Sequence, residues 1–239
     1  MKGVILAGGT GSRLAPLTKI TNKHLLPVFN KPMVYYPLQT LVEAGITEIL
    51  IVTGGVYAGE FLRLLGNGSE FGLKHIHYTY QEGEGGIAAA LKLAEDFAGK
   101  EKLAVMLGDN IIESSIRPFV AAYEKQKRGA KIILKKVPHP ERFGCARIRN
   151  EKIVKIIEKP KIPPSNYAVT GIYFYDRQVF KIISQLKPSG RGEMEITDVN
   201  NWYLNKGELT FDFLKGWWTD AGTFESLLMA NILVAKKKR

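Results

Sequence analysis

Residues 2–14 read Lys2-Gly3-Val4-Ile5-Leu6-Ala7-Gly8-Gly9-Thr10-Gly11-Ser12-Arg13-Leu14. The apolar, partly β-branched opening that breaks into small residues predicts a buried strand leaving a sheet edge. Three glycines in four positions let the backbone take up positive φ and bring its N–H groups close to a ligand, with no Cβ in the way. Such a string of donors is a nest for phosphate oxygens. Arg13 adds a planar charged fork and Lys23 a compact point charge, both suited to phosphate. The stretch therefore predicts a polyphosphate ligand.

Two familiar phosphate loops are excluded by residue type. A Walker A loop ends in Gly-Lys-Ser/Thr, whereas Gly11 is followed by Ser12-Arg13. A dinucleotide fingerprint begun at Gly9 needs a small residue where Leu14 stands, and an acidic residue some twenty positions on. Asn30 to Gln39 offers none. A glycine-rich turn after a first strand can also be only a turn. Arg13, Lys23 and the preceding strand favour a binding site without naming a reaction.

At 239 residues and 45% hydrophobic side chains, the chain can bury a full core as one α/β domain or two small lobes. Lys plus Arg exceed Asp plus Glu by 34 to 23, a formal charge of +11, which suits anionic ligands. The basic residues are scattered, and the one dense run, Lys236-Lys237-Lys238-Arg239, follows a predicted helix over Thr223 to Ala235. Cations complement a helix's negative end, so no nucleic-acid partner is expected. The single cysteine, Cys145, excludes an internal disulfide and fits a reducing cytoplasm. With no signal-like segment before the first strand and no membrane-length apolar run, a soluble cytoplasmic protein without a membrane partner is expected.

The first half alternates strand-like and helix-like segments, the pattern of a mainly parallel sheet wrapped by helices. Helices are predicted from Pro32 to Gly45, from Tyr57 to Leu65 and from Gly86 to Phe97. Strands are predicted at Glu48 to Val52, His75 to Tyr80 and Leu103 to Leu107. Because functional groups collect at the carboxyl ends of strands in open α/β sheets, Gly8 to Arg13, Gln81 and Asp109 are expected to face one crevice. The second half reads as strands at Ala130 to Val137, Cys145 to Arg149, Ile153 to Ile157, Tyr167 to Tyr175 and Phe211 to Trp217. A short helix follows Asp176, and another opens near Glu193 to Asp198. With no repeat or long linker, the expectation is one Rossmann-like α/β domain over 1–239, with halves of about 1–129 and 130–239.

Asp109 and Asp220 each follow an apolar strand. A lone aspartate there is usually a cap. Two carboxylates meeting beside a phosphate loop are what a hard divalent cation needs. Glu158-Lys159-Pro160 ends a strand. It is either a surface ion pair of little energy or a phosphate contact by Lys159 with Glu158 on sugar hydroxyls. His75 and His77 share a strand face but have no third ligand at suitable spacing. Cys145 and the tryptophans Trp202, Trp217 and Trp218 read as packing or rim residues.

These stretches resemble the sugar-nucleotide pyrophosphorylases. The matching pieces are Gly8 to Leu14, Lys23 with Leu25-Leu26-Pro27-Val28, Lys31-Pro32-Met33, Gly85 to Ala88 and Leu107-Gly108-Asp109-Asn110. Pro140 to Gly144, Glu158-Lys159-Pro160, Tyr167 to Tyr173, Gly192 to Asp198 and Trp218 to Gly222 complete the series in the family's order. The match is nearest to members that use dTTP and glucose 1-phosphate. The resemblance implies a nucleotide-diphospho-sugar transferase fold and Mg2+-dependent attack of a sugar 1-phosphate on the α-phosphorus.

Carried over by position, the resemblance places Leu6, Ala7, Gly8, Gly9, Gly11 and Ser12 around the nucleotide. It puts Arg13 on the departing pyrophosphate and Lys23 near the α-phosphate. Asp109 and Asp220 would hold magnesium, and Lys159 the sugar phosphate. Gln81 would meet the pyrimidine edge, and Gly86 would leave room for the ring. Asn110, Gly144, Glu158, Val169 and Thr170 would line the sugar pocket. The chain departs from the pattern at Ala89-Ala90, where a glutamine is common, and at Phe143, where longer members carry tyrosine. With the sequence ending at Arg239, the longer members' C-terminal helical extension, with its feedback site and tetramer, is not expected. Self-association through Pro37 to Leu41 or the last helix is nevertheless implied. Two other readings stay open: use of UTP or another sugar phosphate, and a catalytically silent subunit that senses a sugar nucleotide.

Overall fold

The computed structural model describes residues 1–237; Lys238 and Arg239 of the basic run lie outside the described residues. Strand β1 (Lys2–Ala7) is buried from Gly3 onward. Its alternation sends Val4 and Leu6 to one face of the sheet and Ile5 and Ala7 to the other, so β1 must be covered on both faces.

A small hairpin of β2 (Pro27–Val28) and β3 (Lys31–Pro32) precedes helix α1 (Tyr35–Glu43). The helix expected from Pro32 thus starts later, because Pro32 pairs with Pro27 across the turn. Then follow β4 (Glu48–Gly54), α2 (Ala58–Leu65) and β5 (His75–Gln81). The helix expected over Gly86 to Phe97 is two, α3 (Gly86–Lys92) and α4 (Glu95–Ala98). Between them Leu93 and Ala94 donate to Ala90 and Leu91, bonds one residue tighter than α-helical ones.

Next come β6 (Leu103–Leu107), β7 (Asn110–Ile112), α5 (Arg117–Lys125), β8 (Ala130–Lys136), β9 (Gly144–Arg149), β10 (Lys152–Glu158) and β11 (Tyr167–Tyr175). Helices α6 (Gln178–Ile183) and α7 (Ile196–Asn205) lead to β12 (Leu209–Phe213), β13 (Trp218–Asp220) and α8 (Phe224–Lys237). The single strand expected over Phe211 to Trp217 is therefore broken. Gly216, at φ 69°, turns the chain so that Trp218–Asp220 pairs with β7 instead.

The main sheet runs β10-β9-β11-β6-β1-β4-β5, with β8 on β11 and β12 on β8. It is parallel through β6, β1, β4 and β5, and β11 joins the two halves by pairing antiparallel with β6 on one side and with β8 and β9 on the other. This is the mixed α/β sheet flanked by helices expected from the alternating pattern. One face packs Leu91, Phe180 and Val199 from α3, α6 and α7 against the sheet. The other packs Leu38, Phe61 and Val120 from α1, α2 and α5. Pro37, Leu38 and Leu41 of α1 are buried in the chain's own core, while Gln39 and Thr40 between them stay half-exposed.

Candidate active site

The parallel register decides what meets at the sheet's carboxyl edge. Ala7 pairs with Thr53, Gly54 with Gln81, and Leu6 with Leu107. The residues that follow, Gly8 to Arg13 and Asp109, therefore share one edge with Gln81, lining a cleft of about 510 Å³.

Close approach constrains three glycines of this edge, most strictly Gly11 and Gly86, which also adopt positive φ. Gly11 sits at φ 68° with the Lys23 stem beneath it, and a Cβ there would come within 2.7 Å of Lys23 Cβ. A Cβ on Gly8 would strike Gln81 Oε1 at 2.6 Å, which seats the amide against the loop backbone. Gly86 has φ 87°, and a Cβ there would lie 2.8 Å from the Met194 carbonyl oxygen. The structure thus adds a packing reason for Gly86 beside the room for a ring. Thr10 of the loop donates to Glu84 across the cleft at 2.5 Å.

Asp220 reaches the site through the β7–β13 pair, whose register sets it opposite Asn110. A Cβ built on Gly222 would lie 3.6 Å from an oxygen of each of Asp109 and Asp220, and 3.2 Å from Arg13 Nη2. Two carboxylates and a guanidinium thus converge on one point that glycine leaves open. Lys23 Nζ bonds Asp109 Oδ2 at 2.6 Å, and Arg142 Nη2 lies 3.5 Å from Asp220 Oδ1.

The environment drives the two carboxyls apart. Burial alone would raise Asp109, but the Lys23 charge beside it, with hydrogen bonds from Lys23 and Asn110, holds it well below the usual carboxylate range. Burial and then the Asp109 charge push Asp220 up to about 6, against the pull of Arg142 and Arg13. His24, beneath the loop, is lowered to about 3 by burial and by Lys23, and its Nδ1 meets Asn22 Oδ1 at 2.8 Å. It is a neutral ring, with Nδ1–H donating to Asn22.

Asn110 ties both halves together. Its amide donates to Asp109 Oδ1 at 2.9 Å, while its Oδ1 accepts from Gly171 N–H at 2.9 Å and from Trp218 Nε1 at 2.6 Å. At the far end of the cleft, Glu158 accepts from Thr197 Oγ1 at 2.5 Å, and Arg191 Nη2 bridges Glu195 at 2.8 Å and Glu158 at 3.6 Å. Gly144 packs against both Glu158 and Thr197. Glu158 and Lys159 are therefore no mutual surface pair. Lys159 adopts φ 38°, uncommon for a residue with a Cβ, and its N–H bonds the Phe143 carbonyl at 3.1 Å.

Leu6, Gly8, Gly9, Gly11, Ser12, Arg13, Lys23, Gln81, Gly86, Asp109, Asn110, Gly144, Glu158, Lys159, Val169 and Asp220 all line this cleft. Two expected residues do not. Ala7 is turned into the core among Ile5 and Val34 by strand alternation. Thr170, in the expected sugar pocket, is fully buried and donates its hydroxyl to the Ile133 carbonyl, because β11 alternates and sends Val169, Gly171 and Tyr173 to the cleft instead. His24, Arg142, Arg191, Glu195 and Thr197 also line the cleft, as does Trp218, in keeping with its expected place at a rim. Arg142, Glu195, Thr197 and Trp218 lie inside the matching stretches, whereas His24 and Arg191 lie just beside them.

Outside the cleft, the His75 and His77 rings pack 4.7 Å apart. Cys145 is buried, with its thiol on the Ser165 carbonyl. Among the described residues no three His, Cys, Asp or Glu side chains are grouped to hold a metal. A cation between Asp109 and Asp220 would complete its shell from water and phosphate, as hard cations do in phosphoryl sites. The site fits such an ion. No helix of the described residues is long and apolar enough to cross a membrane.

A doubly covered α/β sheet with a glycine-rich phosphate loop, cations and paired carboxylates at its carboxyl edge defines an enzyme that handles nucleoside phosphates. The chain belongs to the nucleotidyl transferase family, whose model matches residues 2–237. It is 46% identical over 231 residues to the glucose-1-phosphate thymidylyltransferase of Neisseria meningitidis, covering 95% of this chain and 80% of that one. The Mycolicibacterium smegmatis protein of the same name is also 46% identical, with 98% and 82% covered. A Bacillus anthracis crystal structure, described as a glucose-1-phosphate thymidylyltransferase in complex with a sucrose, superposes with a TM-score of 0.94 at 57% identity, covering 98% and 94%. A UDP-glucose pyrophosphorylase complexed with UDP-glucose superposes with a TM-score of 0.86 at 26% identity, covering 100% and 99%.

Proposed function

We propose that this chain transfers thymidylyl from dTTP to α-D-glucose 1-phosphate, giving dTDP-glucose and pyrophosphate. One observation carries the reading. A single cleft holds a phosphate-type glycine loop with Arg13 and Lys23 at one end, Glu158 and Lys159 at the other, and the Asp109–Asp220 pair with them. The relatives' names supply the base and the sugar.

In this reading the loop N–H groups of Gly8, Gly9 and Gly11 cradle the triphosphate, and Gln81 meets the thymine edge. Lys159 orients the sugar phosphate while Glu158 and Gly144 line the sugar. A phosphate oxygen of the sugar 1-phosphate bonds to the α-phosphorus. The bond from that phosphorus to the bridging oxygen breaks, and pyrophosphate leaves with the electron pair. Arg13 takes up charge on the leaving group and Lys23 on the α-phosphate. Such transfer rests on positioning and electrostatics rather than on a protein nucleophile. We assign Asp109 and Asp220 to magnesium, which when bound neutralises phosphate charge. Asn110 orients Asp109 through its amide.

Pyrophosphate release measured over a panel of nucleoside triphosphates and sugar 1-phosphates tests this. The pair of dTTP with glucose 1-phosphate is expected to give the highest kcat/KM. UTP lacks the methyl group and adds a ribose 2′-hydroxyl, differences that an apolar pocket discriminates weakly, so it should trail by about 10- to 200-fold. A maximum at another pair overturns the substrate assignment, and silence with every pair overturns the activity.

The same reading takes the chain as one cytoplasmic domain, its first half serving the nucleotide and its second the sugar. It also includes self-association through α8, supported by the exposed Phe224, Leu228, Met229 and Ile232. Sedimentation of Leu228→Glu beside the parent protein tests that: a lighter species is expected, and identical masses remove the surface.

A further inference from the structure

Each carboxylate of the Asp109–Asp220 pair already holds a cation of this chain's own. Lys23 Nζ sits 2.6 Å from Asp109 Oδ2, and Arg142 Nη2 sits 3.5 Å from Asp220 Oδ1. Both come from elsewhere in the chain than the aspartates, Lys23 from the short turn before β2 and Arg142 from the turn before β9.

A hard divalent ion binds carboxylate oxygen at about 2.0–2.1 Å. An ammonium already within hydrogen-bond distance of Asp109 Oδ2 competes with such an ion for the charge on that carboxylate, because the two cations repel. The stem of Lys23 is fixed, with its Cβ against Gly11 and Thr18 beside it. Its head lies under the loop, with Nζ 3.9 Å from where a Cβ on Gly9 would stand. The ammonium thus stands between Asp109 and the glycine loop, within reach of both. Arg142 is braced similarly. Its guanidinium lies 5.4 Å from the centre of the Phe143 ring, which packs on Trp218 at 4.9 Å. The fork lies over that ring at the cleft wall, beside Asp220.

We propose that Lys23 and Arg142 are resident counter-ions of Asp109 and Asp220, exchanged for a divalent cation only when a triphosphate arrives to receive them. The inference rests on the phosphoryl-transfer reading above and adds Arg142 to it as a second cation that turns to phosphate. Its consequence is positive coupling. The ion alone must displace two cations that then have no partner, whereas with nucleotide present the displaced cations pair with phosphate oxygens. By linkage, each ligand strengthens the other by the same factor.

Electron paramagnetic resonance of Mn2+ bound to the whole chain, without sugar phosphate, reads this directly. In the parent protein, adding dTTP is expected to tighten Mn2+ binding at least tenfold. Lys23→Met should tighten nucleotide-free Mn2+ binding about tenfold while weakening metal-free dTTP binding. Arg142→Gln should do the same to a smaller extent, as its contact is longer. Lys23→Arg, which restores the charge, should return nucleotide-free Mn2+ affinity toward that of the parent. Unchanged or weaker nucleotide-free Mn2+ binding in Lys23→Met overturns the exchange at Asp109, and the same result in Arg142→Gln overturns it at Asp220. A Lys23→Arg protein that behaves like Lys23→Met shows packing rather than charge at work and also overturns it. Asp109→Asn and Asp220→Asn separate the two readings. If they bind Mn2+ with dTTP as the parent does, the metal assignment itself falls. If they lose it while the cation variants match the parent, only the exchange falls.

Discussion

Asp109 and Asp220 face the same point yet respond oppositely to pH, since one is held low by Lys23 and the other pushed up by burial and by its neighbour. For Asp220 the folded value, about 6, exceeds the ordinary 3.8. Its contribution to stability is therefore complete below the unfolded value and is lost as pH rises through about 6. With metal chelated, the parent protein should lose about 1–3 kcal/mol relative to Asp220→Asn between pH 4 and pH 7.5. Urea unfolding at the two pH values measures it, and parallel behaviour of the two proteins would contradict the assignment. Under turnover, Asp109→Asn and Asp220→Asn should each lower kcat by at least about a thousandfold with circular dichroism unchanged. Near-normal rates in either would take that residue out of the chemistry. Arg13→Ala should lower kcat far more than it raises the KM for glucose 1-phosphate, as expected of a group acting on the leaving pyrophosphate. Equal changes in both would argue against that role.

Two elements do what no single residue shows. Strand β11 pairs with β6, β8 and β9, and its register shifts between Val169 and Tyr173. At that irregularity Gly171 lies so close to Asn110 that a Cβ would come within 2.6 Å of its amide. Gly171→Ala should therefore push Asn110 away from Asp109 and Trp218, destabilising the fold by about 1–3 kcal/mol as overpacking does. A thermal melt combined with Trp218 emission checks this; an unshifted melt with unaltered emission would mean that Asn110 is not held there. The β7–β13 pair is the other decisive element. Three residues long, it offered no periodic pattern, and the apolar run Phe211 to Trp217 concealed the turn at Gly216. Helix α3 shows the converse: its apolar spacing was legible, whereas its end at Lys92 depends on tight turns at Leu93 and Ala94 that spacing alone does not reveal.

Across the whole molecule, one sheet runs through both halves, and β11 of the second half is bonded directly to β6 of the first. Neither half can expose its edge without breaking that seam, so unfolding should be a single cooperative transition. All three tryptophans, Trp202, Trp217 and Trp218, lie in the second half. Their fluorescence should lose its native signal at the same urea concentration as far-ultraviolet circular dichroism, which reports both halves. Separated midpoints would show two domains.

Local chemistry in the sequence determined that there are alternating strands and helices, that the first strand ends in a phosphate-type loop, and that Gln81 and Asp109 follow strands beside it. These features follow from residues close together in the chain: side-chain period, glycine freedom and charge. Only the tertiary structure decided that Asp220 stands beside Asp109, that each carboxylate carries its own cation, that Arg191 gathers Glu158 and Glu195, and that Thr170 turns away from the cleft. The reason is register. Which face a strand residue presents, and which distant residue it meets, is fixed by pairing between strands far apart in the chain, and a slip of one residue would reverse every side chain.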